Sequence, residues 1–307
     1  MTSENTITLD MDATVGFVGA GRLGTSVAAG LHRAEINVVA VSSRSLASAE
    51  SLAERVPGCA PVPTSQDVAD IADVVFITTG DAEITLVAQE IAWREGQGVI
   101  HCSGARPLSD LAAAHDSGAR IGGLHPLQTF PTPDSADLIP GASAAVGSED
   151  PGLLDWLQKV VYVLEAKPFT IKEEHRAVYH ASAVMACGLV ASLMGLAAEV
   201  WEEMGVSRAD ALTALRPLTA ATVEAVGREG MPEAITGPAV RGDVETIRMH
   251  LEAMKHLPAR LSHAYTALNY DAMSLFEERD GLSAEAGAEI KELFRQSLED
   301  HSKERHS

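Results

Sequence analysis

Residues 14–24 read Thr14-Val15-Gly16-Phe17-Val18-Gly19-Ala20-Gly21-Arg22-Leu23-Gly24, and Thr25-Ser26-Val27-Ala28-Ala29-Gly30-Leu31 follows directly. An apolar run enters a Gly-x-Gly-x-x-Gly spacing and leaves it with helical character, which predicts strand, tight turn and helix. Each glycine has its own task. Gly19 permits the sharp turn, Gly21 lets backbone approach a pyrophosphate, and Gly24 allows the new helix to pack against the strand. The free N–H groups at the helix start, around Arg22 and Leu23, then face the phosphates. A bare glycine spacing is a weak signal in a chain with 25 glycines. The strand before it and the helix after it give it weight, and together they predict a dinucleotide site.

Working outward, Ile36-Asn37-Val38-Val39-Ala40-Val41 reads as a second strand that ends in Ser42-Ser43-Arg44-Ser45. A carboxylate at this point would accept hydrogen bonds from the adenosine ribose of NAD. Hydroxyls and an arginine suit the 2′-phosphate of NADP instead, so Ser42, Ser43 and Arg44 are candidate NADP contacts. The alternative is an ordinary polar turn capping a helix over Leu46 to Val56. Asp73 to Asp81 reads as the next buried strand, followed by a helix from about Ala82 to Trp93, and Gly98 to Gly104 repeats the strand-then-loop pattern. Thr79, Gly80, Ser103 and Gly104 are candidate contacts along the carboxyl edge of a parallel sheet, or else plain turn residues.

The stretch Ala119 to Phe130 ends in Gly123-Leu124-His125-Pro126-Leu127-Gln128-Thr129-Phe130. An imidazole at a strand end can exchange a proton near neutral pH, as hydride transfer to a carbonyl requires, and Pro126 stiffens its loop. A structural histidine is the competing reading. Pro131, Pro133 and Pro140 mark a long loop able to cover a site. Ala144 to Val146 and Val161 to Glu165 read as two more strands flanking a helix that starts near Pro151.

From Lys172 onward the period is helical. The expected organisation is a flexible tail over 1–12, a dinucleotide-binding α/β domain over 13–170 with a doubly wound, mainly parallel sheet, and an all-α domain over 171–307. The uncharged run Ala177 to Ala198 is long enough to cross a bilayer, but His180, Ser182, Ser192 and its small residues favour the buried centre of a helical domain or a homodimer interface. Further on, Thr236-Gly237-Pro238-Ala239-Val240-Arg241-Gly242-Asp243 precedes a helix with Val244, Ile247, Leu251 and Met254 facing a core and Asp243 as cap. The charged tail Glu292 to Ser307 is expected to fray.

Composition narrows the function. Forty-three acidic against 23 basic residues give a formal charge of −20, which disfavours nucleic acid and anionic membrane as partners. Three cysteines, Cys59, Cys102 and Cys187, lack disulfide or zinc-ligand spacing. No metal is expected. The polar start of the chain shows no signal-peptide pattern, and the expected location is the cytoplasm.

Five motifs in order carry a family resemblance: Gly19-x-Gly21-x-x-Gly24, His101-Cys102-Ser103-Gly104, Gly123 to Phe130, Tyr179-His180-Ala181, and Thr236-Gly237-Pro238-x-x-Arg241-Gly242-Asp243-x-x-Thr246. Across nearly its whole length the chain resembles bacterial two-domain oxidoreductases with a Rossmann-like N-terminal domain and a helical C-terminal domain long of unknown function. The wider group includes 6-phosphogluconate, prephenate and pyrroline-carboxylate oxidoreductases, and some relatives resemble a second type of ketopantoate reductase. The resemblance implies NADP-dependent hydride transfer between the nicotinamide and a small carbonyl or a 2-oxo or 2-hydroxy acid. In that setting His125, Ser103 and His180 are the candidate catalytic residues, and Gln128, Arg241 and Asp243 the candidate substrate contacts, in a site between the domains. Where the family's long helix usually carries an asparagine, this chain has Cys187-Gly188, so a polar anchor is missing. Two other functions stay open: a non-catalytic NADP sensor, and a prephenate-dehydrogenase-like enzyme oxidising a hydroxy acid.

Overall fold

The computed structural model describes residues 9–304. The first eight residues of the expected flexible tail and the last three of the chain lie outside that range. The chain divides into two compact units, Met1–Cys187 and Gly188–Ser307.

The first unit runs β1 (Val15–Val18), α1 (Arg22–Arg33), β2 (Val38–Ser42), α2 (Leu46–Arg55), β3 (Ala60–Pro61), α3 (Ser65–Ile71), β4 (Val74–Ile77), α4 (Ile84–Glu90), β5 (Gly98–His101), α5 (Ala112–Asp116), β6 (Arg120–Leu127), β7 (Ser143–Ser148), α6 (Pro151–Val163), β8 (Lys167–Thr170) and α7 (Arg176–Val184). Its strands form one sheet in the order β3-β2-β1-β4-β5-β6-β7-β8. All neighbours are parallel except β6 and β7. The chain winds outward from β1 in both directions, so the crevice for a ligand opens where β1 meets β4.

Alternation within the strands sends side chains into two cores. Val15 and Phe17 of β1, with Val74 and Phe76 of β4, face α1, α2 and α6, while Val18, Val75 and Ile77 face α3, α4 and α5. Phe17 sits opposite Phe76 in register, the rings stacked with centroids 5.2 Å apart. Leu9 and Met11 pack on the first of these cores, and the Trp156 indole N–H donates to the Asp10 carbonyl at 2.8 Å. Residues 9–12, expected in the tail, are therefore held.

Two expected elements differ. Val161 to Glu165 is not a strand: it is the last residues of α6 and the turn that closes it, with Glu165 at φ 57°, because Val160, Val161 and Leu164 continue the buried stripe of Leu153, Trp156 and Leu157 at helical spacing. The strand comes later, as β8. The helix expected over Ala82 to Trp93 is shorter, a 3₁₀ turn at Asp81–Glu83 leading into α4. The long loop expected after Phe130 carries a 3₁₀ turn at Ala136–Leu138, and Arg33 pairs with Asp137 at 2.5 Å while Arg55 grips Asp134 with two nitrogens.

The second unit contains α8 (Val190–Glu203), α9 (Arg208–Glu229), α10 (Val244–Met254), α11 (Ala259–Asp271), α12 (Met273–Glu277) and α13 (Ala284–Glu304). Its core is built from Ala239, Val240, Ile247, Met273, Ile290 and Phe294. The expected fraying from Glu292 is corrected to a helix that continues to Glu304. Arg295 pairs there with Glu292 and Glu299, one turn to either side.

Between α7 and α8 a π-helical turn spans Met185–Leu189, where the asparagine was expected. Of the two expectations for Ala177 to Ala198, burial within one chain is not found. Val178 is 65% and Met185 64% exposed, and only 6% of the most apolar window in Glu173–Glu203 is buried. By length and composition this helix could cross a membrane. Its apolar side chains are not covered by the chain's own core.

Candidate active site

The glycine turn has the geometry its spacing predicts. Gly19 adopts φ +108°, and a Cβ there would lie 2.8 Å from the Thr78 backbone. Gly24 presses against the same neighbour: a Cβ would meet Thr78 Oγ1 at 2.5 Å and the Gly19 carbonyl at 2.7 Å. Thr78, whose hydroxyl donates to the Gly19 carbonyl at 2.7 Å, thus locks the turn to the end of β4. Gly21 caps α1 from an extended backbone, and a Cβ there would have nothing within 4 Å. The first turn of α1 contains no acidic residue, so its N–H groups point at space that suits a phosphate. Arg22, at the rim, spends one N–H on the Pro131 carbonyl at 3.2 Å, and Leu23 packs on the core below.

At the end of β2, Ser42 is buried, with its hydroxyl 3.5 Å from Ser65 Oγ. It turns inward, which leaves Ser43 and Arg44 the more open of the three candidates. Arg44 is exposed, Ser43 is partly so, and Ser45 rather than either of them caps α2 through Ser48 N–H.

Across the crevice, Thr79 and Gly80 lead into the 3₁₀ turn at Asp81, with open space beside Gly80. Ser103, a catalytic candidate, stands in the loop after β5 with its hydroxyl engaged. Its hydroxyl donates to Asp81 Oδ2 at 2.8 Å and accepts from the Ala105 and Arg106 N–H groups at 3.3 and 3.1 Å. With its donor and acceptor capacity engaged, it shapes the loop after β5 and has no proton to offer.

That loop brings the histidines together. Gly104 lies so close that a Cβ would stand 2.9 Å from His125 Nε2 and 2.7 Å from His180 Cδ2. The two rings meet edge to face, with centroids 5.8 Å apart. His125 Nδ1 is 2.8 Å from the Tyr179 hydroxyl, and Tyr179 rests against Phe169 of β8. Burial, then the nearness of His180 and Arg176, lowers the His125 pKa to about 4, against a smaller opposing pull from Asp81. The low pKa favours the neutral ring at pH 7, with one nitrogen a hydrogen-bond donor and the other an acceptor, over an imidazolium acid.

Beneath it Arg176 is buried, donating from Nε to the Arg106 carbonyl at 2.8 Å and from Nη2 to the Ser103 carbonyl at 2.7 Å. It makes no ion pair among the described residues. His101, fully buried at the end of β5, is likewise held near pKa 4 by desolvation. Sequence reading missed Arg176, Asp81 and Thr78 altogether. Tyr179 stood in a quoted motif without a role. Only the motif's Tyr-His pair, one turn after Arg176, hinted at such a cluster.

Two substrate candidates are engaged elsewhere. Gln128 donates to the Leu138 carbonyl at 3.0 Å and accepts from Thr129 N–H at 2.8 Å, which ties it into its own loop. Asp243 caps α10, accepting from the N–H and hydroxyl of Thr246 at 3.1 and 2.7 Å, and these bonds hold its carboxyl below the usual range. In this structure both side chains hold their own loop or helix start. Arg241, in the second unit, lines a cleft of about 380 Å³ with Arg279 and Thr236.

The sequence matches the Rossmann-like domain over residues 2–126 and the domain of unknown function DUF2520 over residues 143–272. No curated protein matches it. Among solved structures, a Bacteroides fragilis protein assigned as an NADP oxidoreductase is 23% identical, with a TM-score of 0.67 over 94% of this chain and 99% of that one. An imine reductase from Pseudomonas sp. is 17% identical (TM-score 0.61; 92% and 99% covered). The pyrroline carboxylate reductase of Plasmodium falciparum, solved with NADP bound, is 15% identical (TM-score 0.58; 92% and 99% covered). At these identities the likeness is one of fold.

Proposed function

From a chain that joins a Rossmann-like domain to DUF2520, we propose an NADP(H)-dependent oxidoreductase that reduces a small carbonyl compound, with 2-oxo acids as the substrate class. One observation carries this reading. The open space beside Gly21, at the turn that follows β1, and the His125 ring of β6 belong to the same compact unit, on strands of the same sheet. The Gly19 to Gly24 turn would hold the pyrophosphate, and Ser43 and Arg44 the 2′-phosphate. When bound, the cofactor supplies the hydride. His125 Nε2–H would bond the carbonyl oxygen as negative charge develops on it, and the Gly104 backbone, having no side chain, leaves room for the substrate beside that nitrogen.

NADPH consumption across a panel of keto acids tests the reading. Turnover of at least one member is expected, whereas NADPH binding with no turnover would replace the enzyme with a cofactor sensor. The cofactor choice rests on Arg44. Wild-type protein is expected to bind NADP well ahead of NAD, and Arg44→Ala to shrink that preference by about tenfold, the equivalent of ~1.4 kcal/mol. An unchanged ratio by titration would remove this loop from the site.

The reading extends to a cytoplasmic homodimer. Within the second unit, Leu193 of α8, Leu218 and Val223 of α9 and Leu268 of α11 are all exposed, more apolar surface than one copy covers. A second copy is the proposed cover. Sedimentation at micromolar concentration is expected to give a dimer, and a monomer would overturn this part.

A further inference from the structure

We propose that Tyr179 is the proton source behind His125: its hydroxyl reprotonates Nδ1 as Nε2–H passes to the substrate oxygen. This rests on the reductase reading above. The geometry is set by packing. The phenol is wedged edge to face against Phe169, and its oxygen lies 2.8 Å from Nδ1. A phenol is a good donor and a neutral imidazole nitrogen the stronger base of the two, so the hydroxyl donates and the ring must carry its own proton on Nε2. Among the described residues nothing in the protein hydrogen-bonds Nε2, the nitrogen that overlooks Gly104.

The step balances without an imidazolium. As hydride reaches the carbonyl carbon, the C=O π pair moves to oxygen. That oxygen takes the proton from Nε2, the Nδ1 lone pair takes the proton from the Tyr179 hydroxyl, and the phenol is left as phenolate. The ring ends neutral, as it began, which fits the low pKa of His125. The cycle closes in reverse: a proton from solvent reaches Nε2, and Nδ1–H returns to the phenolate oxygen, so the Nε2–H ring and the neutral phenol are both restored.

Burial raises the Tyr179 pKa, and Arg176 is the group that partly offsets it, which suits a phenolate that is only transient. This buried guanidinium bonds only main-chain carbonyls, and it favours the ionised phenol where burial opposes it. The groups facing the pair are His180, Arg176 and Asp81. Tyr179 acts through His125, as a positioning residue with a proton to give.

The first test needs no substrate. In full-length protein with ¹⁵N-labelled histidine, nuclear magnetic resonance is expected to show His125 as the Nε2–H tautomer from pH 8 to 5. A wild-type ring protonated on Nδ1 would overturn the relay, because Nε2 would then have no proton to give. Tyr179→Phe is expected to mix the tautomers and raise the pH at which the ring titrates; identical spectra would also overturn it. With the best keto acid of the panel, the same variant is expected to lose at least about tenfold in kcat. NADPH affinity and KM should hold, and the wild type's high-pH decline in kcat should vanish. Unchanged kcat would sink the proposal. If no keto acid is reduced, the reductase reading fails and the tautomer spectra still decide the relay.

Discussion

His125→Ala is expected to lower turnover by about a hundredfold or more while NADPH affinity stays within about twofold of wild type. The variant removes the Nε2–H donor and the acceptor of the Tyr179 hydroxyl in one step, whereas the phosphate-binding turn lies at the end of another strand, β1. Stability is the control. His125 is only partly buried, and its loss leaves the Tyr179 hydroxyl free to find water. If the residue only shaped the fold, melting temperature and turnover would fall together; a stable variant with wild-type turnover on a true substrate would rule out any chemical role.

The second large effect separates two glycines of one turn. Gly24→Ala places a methyl 2.5 Å from Thr78 Oγ1 and 2.7 Å from the Gly19 carbonyl. Overpacking of that kind costs about 1–3 kcal/mol, against a gain of about 1 kcal/mol from replacing glycine within a helix. A lowered melting temperature and weaker NADPH binding are expected together. Gly21→Ala meets no protein atom within 4 Å, and its φ of −77° suits alanine. Thermal unfolding should therefore stay as in the wild type, while NADPH affinity falls by about a hundredfold, ~2.7 kcal/mol, because the methyl takes the place of the pyrophosphate. Calorimetry and titration on the pair check this. If Gly21→Ala binds NADPH as the wild type does, the phosphates lie elsewhere.

What could be read from sequence was what depends on near neighbours along the chain. The turn after β1 was legible because a positive φ at Gly19 and a helix start at Arg22 are local demands that few residues meet. Asp243 as a cap was legible for the same reason: its partner is Thr246, three residues on. The mainly parallel sheet was legible because strands alternate with helices, which favours parallel pairing; its strand order came from the structure. Val161 to Leu164 was misread because a short apolar β-branched run fits a strand and a buried helix equally, and only Trp156 and Leu157 packing on the same face decide between them.

Side-chain commitments belonged to the tertiary structure. Ser103 is used up by Asp81, 22 residues away, and Gln128 by Leu138. Tyr179 reaches His125 across 54 residues of chain, and Arg176 reaches Ser103 across 73. No periodicity encodes such pairs, because they depend on where α7 docks against the ends of β5 and β6. The sequence alone determined a dinucleotide turn, a mainly parallel sheet and a histidine near the sheet's carboxyl edge. Tertiary packing decided that this histidine is neutral, that a tyrosine stands behind it, and that the apolar helix is exposed, since desolvation and contact arise only once distant segments meet.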